Sequence, residues 1–331
     1  MVDTGSVDRT PDIAVDFGAT LARRPWDNDF AAARNAGLAL ATGEWILYVD
    51  ADERFAVEGD LRAALDDPAA LAGLVRFRAS QGFTPYLEYR LFRNRPDVRF
   101  RGAMHETILP DLERVMAHEG LRAVPVPASI EHFGYEGDLT AKHHRNLPLL
   151  EQAVLDDPGR PYLWFHLGAV RLALGDAGAA DDAWSRAVAI ARSTSSISAS
   201  EVLAYVELAL LRMRREESAA DLLHDLETYR PGQPLTTWVA ANHAMFERRW
   251  SDAIAPLESL LATDPSDLPT DELGYNRSIF EAQAAHALGV CWFRLEAYDT
   301  AAAMFARAAA YDPENPEHGV KRQLAEARAL R

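Results

Sequence analysis

The sequence predicts an α/β domain followed by an all-α array of paired helices. Short apolar runs alternate with helical stretches up to about residue 135. Beyond about residue 140 only helical patterning remains. In that second stretch one spacing of small and bulky residues recurs four times. The expected domains are therefore 1–138 and 139–331. A sheet buries its faces under helices, whereas a stacked helix pair buries its apolar side against its neighbours.

In the first domain, Trp45–Val49 and Gly73–Phe77 read as strands, and Ala123–Pro127 and Ser129–Ile130 as shorter ones. Ahead of Trp45–Val49 lies a helix over Asp29–Ala41, closing at Thr42-Gly43, a C-cap signal. Asp50-Ala-Asp52 follows the Trp45–Val49 run directly. Ligands of α/β sheets bind at the carboxyl ends of strands, and hard carboxylate oxygens suit Mn²⁺ or Mg²⁺. Asp27-Asn-Asp29 has the same spacing but sits at a helix start, where capping explains it.

In the second domain, Ala301, Phe305, Ala308 and Pro313 are preceded by Leu288-Gly289 and Trp292. The spacing recurs as Ala253, Leu257, Leu260 and Pro265, and again as Ala219, Leu223, Leu226 and Pro231. A further copy is Trp164, Leu167-Gly168, Ala180, Trp184 and Ala187, with Arg192 in the proline position. The pattern is close to the tetratricopeptide repeat, in which small residues let two helices cross. The leading alanines lie 39, 34 and 48 residues apart, so the repeats carry insertions, and Asp264–Glu272 reads as one such loop. The tryptophans at 164, 184, 238, 250 and 292 are expected mostly in the core.

Composition narrows the function classes. The 331 residues are 48% hydrophobic and 25% charged, as in a soluble globular protein. The net charge of −16, from 34 basic and 50 acidic residues, argues against a nucleic-acid surface and against docking on anionic lipid. The single cysteine, Cys291, lies in the apolar run Leu288–Phe293 and is expected to pack in the core. No leader-like segment opens the chain and no apolar run approaches the ~20 residues of a membrane span, so a cytoplasmic location is expected.

Three ordered motifs carry a resemblance. Val2-Asp-Thr-Gly-Ser-Val-Asp-Arg-Thr10 comes first, then Phe30-Ala-Ala-Ala-Arg-Asn-Ala-Gly37, then Trp45-Ile-Leu-Tyr-Val-Asp-Ala-Asp-Glu53. Arg90-Leu-Phe-Arg93, Phe100-Arg-Gly-Ala-Met-His-Glu106 and Ile130-Glu-His-Phe-Gly-Tyr135 extend it over most of the first 150 residues. The chain resembles the family 2 glycosyltransferases, especially the bacterial branch with C-terminal TPR repeats. The resemblance implies an incomplete GT-A, Rossmann-like sheet domain before a TPR-like solenoid. Its implied activity is metal-dependent, inverting transfer of a sugar from a nucleotide-diphosphate donor, most often a UDP-sugar. By the same resemblance Asp3 would accept from the nucleobase, Arg34 and Asn35 would contact the nucleotide, and Asp50 and Asp52 would hold ribose and metal. Glu106 would be the general base or a positioning residue, His105 would orient the acceptor or pack, and His132 would be a third metal contact.

The family also carries a strand–helix unit of roughly 35 residues before the first motif. That unit is expected upstream of Met1, and its loss would leave Trp45–Val49 along a sheet edge. Two functions of different class follow. One is the transferase. The other is a TPR interaction scaffold whose front domain no longer catalyses. In either, the repeats offer a groove for a protein or peptide partner or acceptor. A nucleotidyltransferase is disfavoured because no glycine-rich, lysine-bearing phosphate loop is present.

Overall fold

A computed structural model describes residues 1–134, 139–194, 197–269 and 273–330. Packing divides the chain into two units. The first comprises residues 1–80 and 86–174, and the second residues 81–85 and 175–331. Secondary structure becomes all-helical at Thr140, while the packing division falls after Leu174.

The first unit begins with β1 (Val2–Asp3), α1 (Thr10–Asp16), β2 (Ala22–Arg23) and α2 (Phe30–Leu38). Then come β3 (Trp45–Leu47), β4 (Glu53–Val57), α3 (Leu61–Leu65), β5 (Ala70–Arg78) and β6 (Tyr86–Arg93). The unit continues through α4 (Leu109–Glu119), β7 (Arg122–His132), α5 (Thr140–Asp156) and α6 (Pro161–Ala173). β1 and β2 pair in parallel as a small sheet of their own. The main sheet has the order β3-β6-β5-β7-β4, with β5–β7 parallel and the other pairs antiparallel. One apolar layer packs Ala31, Leu38, Ile46, Phe92, Leu112 and Val115, and another packs Val75, Phe77, Leu91, Val126 and Ile130. Burial on both faces of the central strands is what makes Ala70–Val75 nearly continuous in apolar residues.

The strand and helix signals hold with changed boundaries. The Asp29–Ala41 helix ends early, at Leu38. Asp29 caps it by accepting from Ala32 N–H at 2.8 Å. At its other end the chain tightens, Leu40 N–H bonding Gly37 O and Ala41 N–H bonding Leu38 O, so the last carbonyls are satisfied before Gly43. The two short segments at Ala123–Pro127 and Ser129–Ile130 are one strand, β7, whose register slips against β5 near Pro125. β3 lies at the sheet edge, with Leu47 and Val49 exposed.

The second unit contains α7 (Ala177–Ala191), α8 (Ala199–Arg214), α9 (Ala220–Tyr229), α10 (Pro234–Phe246) and α11 (Trp250–Ala262). A 3₁₀ turn at Arg277–Phe280 precedes α12 (Ala282–Arg294), α13 (Tyr298–Tyr311) and α14 (Pro316–Ala329). The repeat positions fall in the core: Ala180, Trp184, Ala187, Ala219, Leu226, Ala253, Leu257, Leu260, Ala301, Phe305 and Ala308 are all buried. Leu223 is an exception, because α9 turns its neighbour Leu222 inward instead. A Cβ on Gly289 would lie 2.8 Å from the Phe305 ring, so glycine is what lets α12 and α13 meet there. Of the five tryptophans, Trp184 and Trp238 are buried and the other three half-buried. Cys291 is buried, which pushes its thiol up to about 11. Residues 264–269 are non-helical, as expected, while the rest of that loop lies outside the described residues, as does Tyr135.

Residues 81–85, from the β5–β6 connection, count with the helices. Thr84 N–H donates to Tyr275 O at 2.9 Å, and Tyr275 N–H donates to Thr84 Oγ1 at 2.8 Å.

Candidate active site

β3 ends in the loop Val49–Asp52, and one carboxylate organises it from below. Glu53, at the start of β4, accepts from Asp50 N–H at 2.8 Å. It also takes a two-pronged bond from Arg90 on β6, at 2.7 and 3.0 Å. Both side chains are nearly sealed from solvent, at 1% and 7% exposure. Arg90 in turn donates to Glu88 at 2.6 Å and lies over the rings of Tyr48 and Phe77. A planar guanidinium that is bidentate on one side and stacked on the other fixes the loop geometrically. Glu53 and Arg90 both stand in motifs noted from the sequence, but neither was given a role there. The pairing joins residues 37 apart, one on β4 and one on β6, strands that are not neighbours in the sheet.

Above that base, Arg34 of α2 bridges two of the expected site residues. Its Nη2 donates to both carboxylate oxygens of Asp50, at 2.7 and 3.0 Å, and its Nε donates to Glu106. Burial disfavours the Arg34 charge, but Glu106 and Asp50 restore it, so the guanidinium is held above its ordinary range. Glu106 is carried on the loop Arg101–Thr107, which closes by reciprocal backbone bonds of 2.9 and 3.0 Å between its end residues. Gly102 and His105 take φ of +90° and +51° there. The left-handed backbone at His105 is unusual for a residue with a side chain. It turns Glu106 back toward Arg34.

The second aspartate lies on the other side of the loop. Asp52 Oδ2 is 3.2 Å from His132 Nε2, at the end of β7, which pairs with β4 in register Glu53↔His132. His132 Nδ1 is 3.2 Å from Ala79 O, so its hydrogen points at that carbonyl. Nε2 then presents a lone pair to a carboxylate oxygen, an arrangement that a cation or a proton between them satisfies. A ligating histidine anchored through its other nitrogen to a backbone carbonyl is the usual support of a metal site. Gly134 completes the seat. A Cβ there would lie 1.9 Å from Asp52 Oδ2. These residues fit a divalent cation on one oxygen and one nitrogen, with remaining positions left to a ligand. Among the described residues no group of three or more His, Cys, Asp or Glu side chains converges as a ready-made metal cage.

The remaining expected residues serve the protein's own backbone. Asp3 is buried at the end of β1 and accepts from Ser6 N–H at 2.9 Å and Gly5 N–H at 3.3 Å. The Ser6 hydroxyl and backbone hold its carboxyl below the ordinary range. Asn35 donates to Phe100 O and accepts from Phe100 N–H, each at 2.9 Å, tying α2 to the segment just before the Glu106 loop.

Three residues beside the site escaped the sequence reading. His166 of α6 stacks on His105, with centroids 3.9 Å apart, and Tyr162 meets both rings edge-on. Arg160 lies over Tyr162, and its Nη1 is 3.7 Å from where a Gly102 side chain would begin. Burial lowers His105 to about 4 and drives His166 well below its ordinary value, so both rings are neutral. The run Arg160-Pro-Tyr-Leu-Trp-Phe-His166 is dense in aromatics, but read as the opening of a helical repeat it gave no sign of facing His105.

Comparison with known proteins gives likenesses for both parts of the chain. Residues 1–118 match the family described as Glycosyl transferase family 2. The matched segment lies at the N-terminal end of the chain, and an all-helical region follows it from Thr140. A TPR repeat-containing protein of Synechococcus elongatus is 42% identical over 190 residues, 54% of this chain and 47% of its own length. The SPbeta prophage-derived glycosyltransferase SunS of Bacillus subtilis is 29% identical over 183 residues, 51% of this chain and 41% of its own. The chain thus spans less than half the length of these curated relatives. Among solved structures, a thermophilic TPR protein of Thermus thermophilus aligns with a TM-score of 0.41 at 18% identity, over 56% of this chain and 92% of its own. No helix among the described residues is long and apolar enough to cross a membrane.

Proposed function

We propose that this protein transfers a sugar from a nucleotide-diphosphate donor, a UDP-sugar, to an acceptor hydroxyl with inversion at the anomeric carbon. The observation that carries the proposal is the convergence of Asp50, Arg34 and Glu106 on one side of the β3 loop, with Asp52 facing His132 on the other. Asp52 and His132 would hold Mn²⁺ or Mg²⁺, which supplies charge neutralisation to the diphosphate. Asp50 would take the ribose and Asp3 the nucleobase, while Asn35 positions the Glu106 loop through Phe100.

The chain's own residues then act in sequence. An arriving diphosphate competes with the two carboxylates for Arg34, because its oxygens offer the guanidinium the same two-pronged geometry with more negative charge. Glu106 is thereby released. It accepts the acceptor's hydroxyl proton as the acceptor oxygen bonds to the anomeric carbon and the bond to the diphosphate breaks with its electron pair. His105, kept neutral beside His166, adds no competing positive charge at that point.

The helical region supports a protein or peptide partner, since stacked repeats present extended concave surfaces. The second reading, a scaffold without catalysis, is favoured by one observation: Asp50 and Glu106 are already ion-paired with Arg34 within the chain. Calorimetric titration with UDP and Mn²⁺ separates the two. The transferase reading expects saturable UDP binding that needs the metal and is lost in Asp52→Ala. Absence of binding by the unaltered chain, or binding indifferent to D52A, defeats it.

A further inference from the structure

The helical unit contains a groove of about 640 Å³, lined from α8, α10, the start of α11, the 3₁₀ turn and α12. Its wall is built largely of soft and aromatic side chains, among them Leu210, Met213, Trp238, Met245, Phe246 and Trp250. Two charged residues line it, Glu207 and Arg214. Glu207 is half-buried, and its carboxylate has no ion pair or hydrogen bond among the described residues. Burial lifts its carboxyl above the ordinary range, and Arg214 offsets this only at a distance. Arg214 is exposed at the end of α8, with Nε bonded to Leu210 O at 3.3 Å.

An unpartnered carboxylate is costly in a groove walled by Trp, Phe and Met. It is repaid when a cation enters. Aromatic faces beside it favour the same charge. Methionine-rich walls repack around varied apolar side chains. The volume is far larger than one ammonium head requires, and the groove runs over parts of four helices, so its occupant is a chain segment rather than a free ion. Glu207 and Arg214 are seven residues apart on α8, two helical turns, or about 10 Å along the axis. An extended peptide covers that distance in about three residues.

We propose that this groove binds an extended segment of a partner polypeptide that places a lysine or arginine on Glu207. An acidic residue about three positions away would meet Arg214, with apolar residues between them. The proposal rests on the reading of the helices as a partner-binding array, and it is independent of catalysis.

The test uses the whole chain without nucleotide or metal. Fluorescein-labelled Gly-Ser-Lys-Leu-Phe-Glu-Gly-Ser amide and its Lys→norleucine analogue are titrated by anisotropy against the unaltered chain, Glu207→Gln and Glu207→Lys. A glutamate-for-lysine peptide is titrated against E207K. The lysine peptide is expected to bind the unaltered chain saturably. Its affinity should fall about tenfold or more with norleucine or E207Q, and the swapped peptide should regain binding to E207K. Equal binding of the norleucine peptide overturns the cation socket while leaving a peptide groove standing. Absence of binding by every peptide overturns both. E207Q is isosteric at a half-buried position, and its circular dichroism melt checks that it folds. Because no donor is present, neither outcome bears on sugar transfer.

Discussion

Arg90 and Gly134 show how single residues set the candidate site without touching a ligand. Arg90 holds Glu53, and Glu53 holds the backbone of Asp50. Arg90→Met would leave two carboxylates, Glu53 and Glu88, facing an apolar side chain. Loss of one partner from a buried pair costs ~3 kcal/mol or more. A urea melt of R90M should show that loss, and UDP–Mn²⁺ affinity should fall with it. Gly134→Ala is the complementary experiment. Its Cβ cannot coexist with Asp52 in place, yet it breaks no buried pair. UDP–Mn²⁺ affinity is expected to drop by about tenfold or more, as for a disturbed ligand support, with little change in the urea midpoint. Unchanged affinity would show that Asp52 is not a metal ligand. The acidic loop and the Ala33-Arg34-Asn35 motif were visible in the sequence because their residues lie close together in the chain. Arg90 with Glu53, and His166 with His105, were not, because non-local pairing leaves no local periodicity.

At the scale of elements, the helical repeats were the most legible part. Helix packing imposes small residues at fixed offsets, and the offsets survive insertions between pairs. Gly289 against Phe305 is such a crossing. Gly289→Ala gains helix propensity worth about 1 kcal/mol but overpacks the crossing by about 1–3 kcal/mol. A net loss of about 1 kcal/mol is expected in chemical denaturation, and a stabilised variant would mean that α12 and α13 can separate freely. The sheet was less legible. β3 and β5 announce themselves by apolar runs, yet nothing in those runs states that β6 lies between them. β4, with its mixed Glu53-Arg-Phe-Ala-Val57, carries hardly more than a turn's worth of apolar signal, and only the ladder to β7 defines it. Strand order is a long-range property, decided by closure of the β5–β6 hairpin and the return of β7 alongside β5.

Over the whole molecule, acid should weaken both units together. His105 in the first and His286 in the second are each held at about 4, chiefly by burial. Lys321, Glu317 and His318 also face His286, and Arg160 faces His105. An unfolded imidazole titrates near 6.5. Between those values the unfolded chain binds more protons than the folded one, so protons favour unfolding. Stability is therefore complete above about pH 6.5 and falls as pH drops toward 4, by at most ~2 kcal/mol per histidine between pH 7 and 5. Urea melts at those two pH values check this; His166, also driven down by burial, contributes in the same direction, and substituting His105, His166 and His286 by Gln should flatten the difference. The short run 81–85 has another kind of consequence. Because these residues leave the sheet and count with the helices, the two units interleave along the gene. No single cut yields both units whole: a fragment beginning at Gly175 lacks the two bonds that Thr84 makes to Tyr275. In recombination terms the helical region is not a cassette, and moving it to another protein means carrying a piece of the β5–β6 connection with it.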